Sequence, residues 1–305
     1  MIPTAGTSPW PNPAAVLERE PLARHTTFAV GGPADYFAVA ESASDLAELL
    51  SASASAEIPA TVLGEGSNVL IGDDGVRGLV IHNRSAHVES LSESRLRAES
   101  GILMGRLAHW GAENGLAGLE FGVGIPGTLG GSIFGNAGCF GVEIKDVLVQ
   151  AEVWSGGDHE TYFNDDFDFA YRSSALQTMP GTPVVLGAVL KATEDQPDAI
   201  RQRMTELSRR RRDSQPAERS AGSIFRNPPG DHAGRLVEKA GLKGTQNGDA
   251  QISDLHANFI VNRGSATAAE IAALIDCARM TVAARSGVEL EVEIRFIGEG
   301  FGDTR

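Results

Sequence analysis

The sequence predicts an α+β protein built as two domains. At roughly 100–200 residues per domain, 305 residues are enough for two cores. Short β-prone runs separated by glycines occupy the stretch from Phe28 to about residue 195, and helical spacing of apolar residues becomes more prominent after it. Residues 1–20, with Pro3, Pro9, Pro11 and Pro13, read as an N-terminal extension, with one helical turn near Ala14–Glu18. Then come strands at Tyr36–Ala40, Ala60–Leu63, Leu79–Ile81 and Leu96–Glu99, and a helix at Ser44–Ala52 opened by Ser44 and Asp45. A second helix is expected over Ile102–Asn114, closed by Gly115, followed by strands at Val147–Trp154 and Val184–Lys191. A helix starting at Pro197 carries Ile200, Met204 and Leu207 on one side and ends by Pro216. The domain boundary is placed before it, dividing 21–195 from 196–305. The second part holds a strand at Asn258–Val261, a helix from Thr267 to about Arg285 and a last strand Glu289–Ile297.

Composition limits the function. Hydrophobic residues at 42% and charged residues at 22% exclude a disordered or collagen-like chain. The net charge of −14 argues against a nucleic-acid partner. No apolar run approaches the ~20 residues that span a bilayer, and the start does not read as a secretory signal. Two isolated cysteines, Cys139 and Cys277, suit a reducing compartment, so a cytoplasmic protein is expected. The seven histidines show no ligand spacing, so no metal site is expected.

Several motifs carry chemistry. Leu63 to Leu70 is a strand entering a glycine turn with hydroxyl and amide side chains, which is either ordinary turn chemistry or a nest of backbone N–H groups for a diphosphate. Gly122–Gly127 satisfies G-x-G-x-x-G but lacks the strand–turn–helix context, so a Rossmann site is rejected. The glycines from Gly127 to Gly138 are denser than a packed core would choose, which points to something approaching that backbone closely. Arg172, in Phe169–Ser174, is suited to bidentate contact with an anion, or else pairs with Asp165, Asp166 or Asp168 at the surface. Ser223 has no G-x-S-x-G elbow around it and reads as a turn serine. Arg209–Arg212 is a solvated helix end or a local basic patch. In the last strand Glu291, Glu293 and Arg295 share one face.

Taken together, seven motifs in order resemble the flavin-dependent UDP-N-acetylenolpyruvoylglucosamine reductases: Thr27–Gly32, Gly64–Asn68, Gly124–Gly127, Asn136–Gly138, Tyr171–Ser174, Gly222–Pro228 and Glu291–Ile297. The resemblance covers residues 24–298 and implies a two-lobed FAD-binding domain of the PCMH/vanillyl-alcohol-oxidase type, followed by a smaller α+β substrate domain. It implies non-covalent FAD, reduced by NADPH, which then reduces the enolpyruvyl ether of a sugar-nucleotide. By position it assigns Arg172, Ser223 and Glu293 to catalysis. It assigns Gly64, Glu65, Gly66, Ser67, Asn68, Ile125, Pro126, Gly127, Thr128, Gly130, Gly131, Asn136 and Gly138 to FAD, and Tyr171, Asn227 and Arg211 to the sugar-nucleotide. The last tyrosine is Tyr171, so the chain resembles the shorter subtype without a tyrosine loop over the substrate. A monomer acting on small molecules, away from membranes, is expected. Two rival readings are another oxidase on the same flavin fold, which would lack the Ser223 and Glu293 motifs, and a non-catalytic nucleotide-binding protein, which would need none of the three catalytic positions.

Overall fold

The computed structural model describes residues 8–302 apart from Glu93 and Thr182. Its first lobe is a four-stranded sheet in the order Leu17–Glu18, Ala34–Ala40, Val76–Asn83, Ala60–Leu63, the last three strands mutually parallel. Parallel strands of one sheet need crossover connections, and the helix Ala43–Ser55 makes the one from Ala34–Ala40 to Ala60–Leu63 across the intervening Val76–Asn83, burying Leu46, Leu49 and Leu50 against Leu79 and Ile81. It starts earlier than the sequence suggests, because Ser42 is the cap: its hydroxyl accepts from the Asp45 N–H at 3.1 Å. The short strand Leu17–Glu18 pairs with Phe37 and Tyr36, so part of the N-terminal extension is woven into this sheet.

The second lobe is an antiparallel sheet in the order Asp158–Phe163, Leu148–Ser155, Val184–Lys191, Arg95–Glu99, Val88–Ser92. Its central strand is apolar on both faces for a reason. Val185 and Leu190 join the lobe's own core with Leu107, Leu129 and Ile133, while Val184 and Leu186 pack with Trp154 against the helix of the first lobe. Where the lobes meet, the polar groups are paired: Asn83 Nδ2 donates to Ser100 Oγ at 2.8 Å and Ser85 Oγ to Asn83 Oδ1 at 2.7 Å.

The helix Pro197–Ser214 belongs to the second lobe by its packing, burying Ile200 and Met204 against Ala108, Ala112 and Ala117. The core of the last part of the chain is separate. It contains the helices Ala233–Lys239 and Ala268–Ser286 and the sheet Gln246–Asn247, Ala250–Ile252, Ile260–Asn262. Phe28, Val30 and Leu70 of the first lobe complete that core, and Asn262 Nδ2 donates to the Phe28 carbonyl at 2.9 Å. The Thr27–Gly32 motif is therefore a joint.

The expected last strand is ladder-paired only over Arg295–Ile297, which lies parallel to Val69–Ile71 of the first lobe. Upstream of it, Val292 bridges Phe225 instead, so one extended segment spans both parts of the protein. Gly72 permits the continuation: a Cβ there would lie 1.9 Å from the Glu299 carbonyl oxygen. Among the described residues no helix is long and apolar enough to cross a membrane.

Asp73 adds a cap across the parts, its two carboxylate oxygens accepting from the N–H groups of Ala268 and Ala269 at 2.8 and 3.0 Å. Asp73→Ala should cost about 1 kcal/mol, the usual worth of a helix cap, and lower Tm by about 2–4 °C. Calorimetry of the holoprotein checks it, and an unchanged Tm would show the cap contributes nothing.

Candidate active site

Two of the loops singled out in the sequence meet face to face. A Cβ on Gly64 would lie 2.5 Å from Thr128 Oγ1, and one on Gly127 would lie 2.7 Å from Ser67 Oγ. Gly66 sits at φ +66° with the His25 carbonyl where its Cβ would be. Much of the glycine density thus serves close approach of the protein to itself: Gly130 rests on Ser100, and Gly138 on Val142 and Glu143. Gly131 meets only Thr128 of its own turn.

The sign of a ligand is in the hydrogen bonds. Among the described residues none accepts from the backbone N–H groups of Gly64, Glu65, Gly66, Ser67 or Asn68. Successive N–H groups without acceptors form a nest for an anion, here beside the Ile125–Gly131 loop. This fits the diphosphate of FAD. Residues 64–68 and 127–128 would hold it.

Arg172 and Tyr171 form a two-residue turn closed by reciprocal bonds between Ala170 and Ser173, with Arg172 at φ 55°. The Arg172 guanidinium lies 5.3 Å from the Tyr171 ring centroid, and Tyr171 is exposed. Arg172 does not pair with Asp165, Asp166 or Asp168. Its Nε lies 2.9 Å from Glu293 Oε1, and its Nη2 donates to the Gly138 carbonyl at 3.3 Å. Burial pushes the Glu293 carboxyl above its ordinary value, while the guanidinium groups of Arg172 and Arg226 pull it back.

Ser223 is brought to the same place by its neighbour. The Ile224 carbonyl accepts from the Glu293 N–H at 2.8 Å, and Arg226 N–H donates to the Glu291 carbonyl at 2.9 Å. This antiparallel pairing sets Ser223 beside the Glu293 strand, and its hydroxyl makes no hydrogen bond among the described residues. The three residues expected to be catalytic therefore come from two motifs on adjoining extended segments and one on a turn of the second lobe.

Other expected residues have protein partners. Asn136, fully buried at φ 42°, donates through Nδ2 to Glu143 and to the Ala170 carbonyl, both at 3.0 Å, and accepts from Lys145 N–H. Its carboxamide thus braces the Arg172 turn. Asn227 Oδ1 accepts from Ala233 N–H at 3.0 Å at the start of a helix. Arg211 turns inward to donate to the Gly124 carbonyl, unlike Arg209 and Arg210, which pair with Glu206. Burial lowers the Arg211 pKa and raises that of the nearby Cys139 thiol, which Arg211 and Arg172 oppose.

Two arginines were missed by the sequence reading. Arg226 lies beside Glu293, and Arg295 places its guanidinium 4.5 Å from the Phe134 ring centroid. A signal for Arg226 existed in the Gly222–Pro228 motif, which contains it, but no role was drawn from it.

Paired lobes with an anion nest between glycine loops, closed by a further domain, define an FAD-binding flavoprotein with an attached substrate domain. Comparison supports both halves: the family described as "FAD binding domain" matches residues 34–161, and the C-terminal domain of UDP-N-acetylenolpyruvoylglucosamine reductase matches residues 215–297. The chain is 44% identical to the UDP-N-acetylenolpyruvoylglucosamine reductase of Heliobacterium modesticaldum, over 94% of this chain and 92% of that one. It is 45% identical to the reductase of Phenylobacterium zucineum, over 93% and 95%. The crystal structure of the Thermus caldophilus reductase superposes with a TM-score of 0.79 at 37% identity, covering 92% of this chain and 98% of that one. The chain belongs to the UDP-N-acetylenolpyruvoylglucosamine reductase family.

The protein should be yellow with one FAD per chain, released on denaturation. Gly66→Ala should lose most of that flavin, since its side chain would enter the His25 carbonyl and displace the nest. The flavin-to-protein absorbance ratio after gel filtration decides; full occupancy in the variant would refute the assigned cradle.

Proposed function

We propose that Arg172, Glu293 and Ser223 carry the reduction of the enolpyruvyl ether of UDP-N-acetylglucosamine to the lactyl ether of UDP-N-acetylmuramate, a step of peptidoglycan precursor synthesis. Bound FAD, reduced by NADPH, supplies the hydride. The observation that carries the reading is the Arg172–Glu293 contact at 2.9 Å beside the nest of free N–H groups.

Hydride arrival at the terminal enolpyruvyl carbon pushes charge toward the substrate carboxylate and makes an enolate that needs preorganised donors. Arg172 is the donor that matches, with a fork suited to two parallel bonds. Glu293 helps only while it shares or holds a proton, because a bare carboxylate would repel the enolate. Burial of Glu293 favours that protonated form. After the hydride has reached the terminal carbon, Ser223 delivers the one proton the reduction needs to the adjacent carbon. A hydroxyl is a weak acid, so this transfer suits a strongly basic carbon within hydrogen-bond reach.

Exposed Tyr171, Arg211 and the remaining donor of Asn227 are the sugar-nucleotide contacts of this reading. The substrate domain is taken to begin near residue 215, since the preceding helix packs on the second lobe. The reading includes action as a monomer in the cytoplasm, in keeping with the free thiols of Cys139 and Cys277. Its direct test mixes the purified protein with NADPH and the enolpyruvyl sugar-nucleotide and follows nicotinamide oxidation together with product mass. Nicotinamide oxidation without the reduced sugar-nucleotide would refute it.

Arg172→Lys should lose about 10²–10³ in turnover although charge is kept, because Lys cannot reproduce the paired bonds. Near-normal steady-state turnover would return Arg172 to a structural ion pair. Ser223→Ala should leave flavin reduction by NADPH close to normal and slow reoxidation by the enolpyruvyl substrate at least ~10²-fold. Stopped-flow absorbance separates the halves; equal slowing of both would make Ser223 a structural residue, and slowing of neither would mean water suffices.

A further inference from the structure

Arg226 joins three groups of the site. Its Nη2 donates to the Arg172 carbonyl at 3.2 Å, at the turn where Arg172 holds φ 55°. Its Nη1 donates to Glu291 Oε1 at 2.8 Å, and its own N–H to the Glu291 carbonyl at 2.9 Å. The buried Nε finds no acceptor among the described residues. The side chain thus runs between the turn of the second lobe and the extended segment that carries Glu293, where its charge also reaches the Glu293 carboxyl. Gln177 Nε2 is the only other described side-chain donor to the Arg172 carbonyl, at 3.2 Å, and it comes from the same lobe as the turn. Arg226 is therefore the contact that ties this carbonyl to the substrate domain.

We propose that Arg226 is a positioning residue for the reaction: one guanidinium clamps the Arg172 turn to the Glu293 strand and sets the charge that Glu293 faces. The idea rests on the assignment of Arg172 and Glu293 above. When the substrate carboxylate engages Arg172, Glu293 shares that guanidinium with a second anion. Arg226 is then the cation committed to the strand side.

The charged and titratable neighbours can be named. Glu293 faces Arg172 from the turn, Arg226 from the paired segment and Glu291 from its own strand; the Cys139 thiol lies near Arg172. Arg172 and Arg226 favour the ionised Glu293, while Glu291 and burial favour the protonated one. The protonated form serves the reaction, so the rate falls as pH rises through the Glu293 titration. Removing the Arg226 charge raises that titration, and the fall must then move to higher pH.

The test uses holoenzyme carrying Arg226→Met or Arg226→Lys, with Arg172→Lys in parallel. Flavin content, Tm and both half-reactions are measured, with NADPH and the enolpyruvyl sugar-nucleotide as reagents. Arg226→Met should keep its flavin and be reduced by NADPH with little change. Its reoxidation should slow about 10- to 100-fold, the scale of a misplaced catalytic group, with the alkaline fall of that rate moved to higher pH. Arg226→Lys should also be slow, because an ammonium cannot span both acceptors, but its alkaline fall should stay where the unsubstituted enzyme has it. An Arg226→Met enzyme with normal reoxidation, or one slowed without any movement of the alkaline fall, overturns the proposal. So does a variant that loses flavin and Tm while its pH profile is unchanged, which marks a merely structural arginine. If Arg172→Lys is also fully active, the site assignment itself has failed; if it is impaired, only the clamp has.

Discussion

The arrangement hangs on a short parallel pairing, Arg295–Ile297 against Val69–Ile71. Three residues of parallel strand are weak alone. Here they are held by what surrounds them. Asn68 accepts from Arg295 N–H at 3.0 Å and donates from Nδ2 to the Glu293 carbonyl at 3.4 Å, gripping the segment on either side of Ile294. Gly72 N–H continues the contact to the Ile297 carbonyl at 3.0 Å. Leu70 and Phe28, both fully buried in the last core, each contribute roughly 1.5–3 kcal/mol of apolar burial. This joint brings Glu293 to Arg172 and ends at the nest of N–H groups, so the candidate cofactor loop and the Glu293 carboxyl are positioned by one contact.

Charge shows a second economy. The chain carries a net −14 yet places Arg172 and Arg226 at Glu293, with Arg211 and Arg172 both near Cys139. Local cations in a low-dielectric wall outweigh a distant acidic surface screened by salt. An acidic protein can thus still receive a diphosphate. Glu293 balances two opposing influences there, burial raising its pKa and two guanidinium groups lowering it.

The glycines show that density alone does not give the reason for it. The sequence reading took it as a sign of a ligand approaching the backbone. At Gly64, Gly127, Gly130 and Gly138, however, the close neighbour is another part of the protein. Loops that touch through missing Cβ atoms make a rigid rim, and it is the unused N–H groups of residues 64–68 on that rim that point to a ligand.

The amino-acid sequence by itself determined the class of fold, most long elements and the family. Those are local or ordered properties: Ala60–Leu63 and Val184–Lys191 are strands where β-branched and apolar runs predict them, and the helix capped at Thr267 follows its capping chemistry. Motif order then singled out Arg172, Ser223 and Glu293 as the residues to propose for catalysis. Only the tertiary structure decided what those residues meet. Arg172 had aspartates close by in sequence and pairs instead with Glu293, far along the chain, because the last strand crosses back to the first lobe. The helix Pro197–Ser214 joined the lobe before it, since Ile200 and Met204 found their apolar partners there. Asn136 and Asn227 also satisfy buried or terminal backbone groups, which the sequence did not show. Arg226 was unremarkable in its motif and became a link between domains. A sequence records propensities along one dimension, whereas hydrogen-bond satisfaction and charge pairing are settled by which distant segments the folded chain brings within about 3 Å.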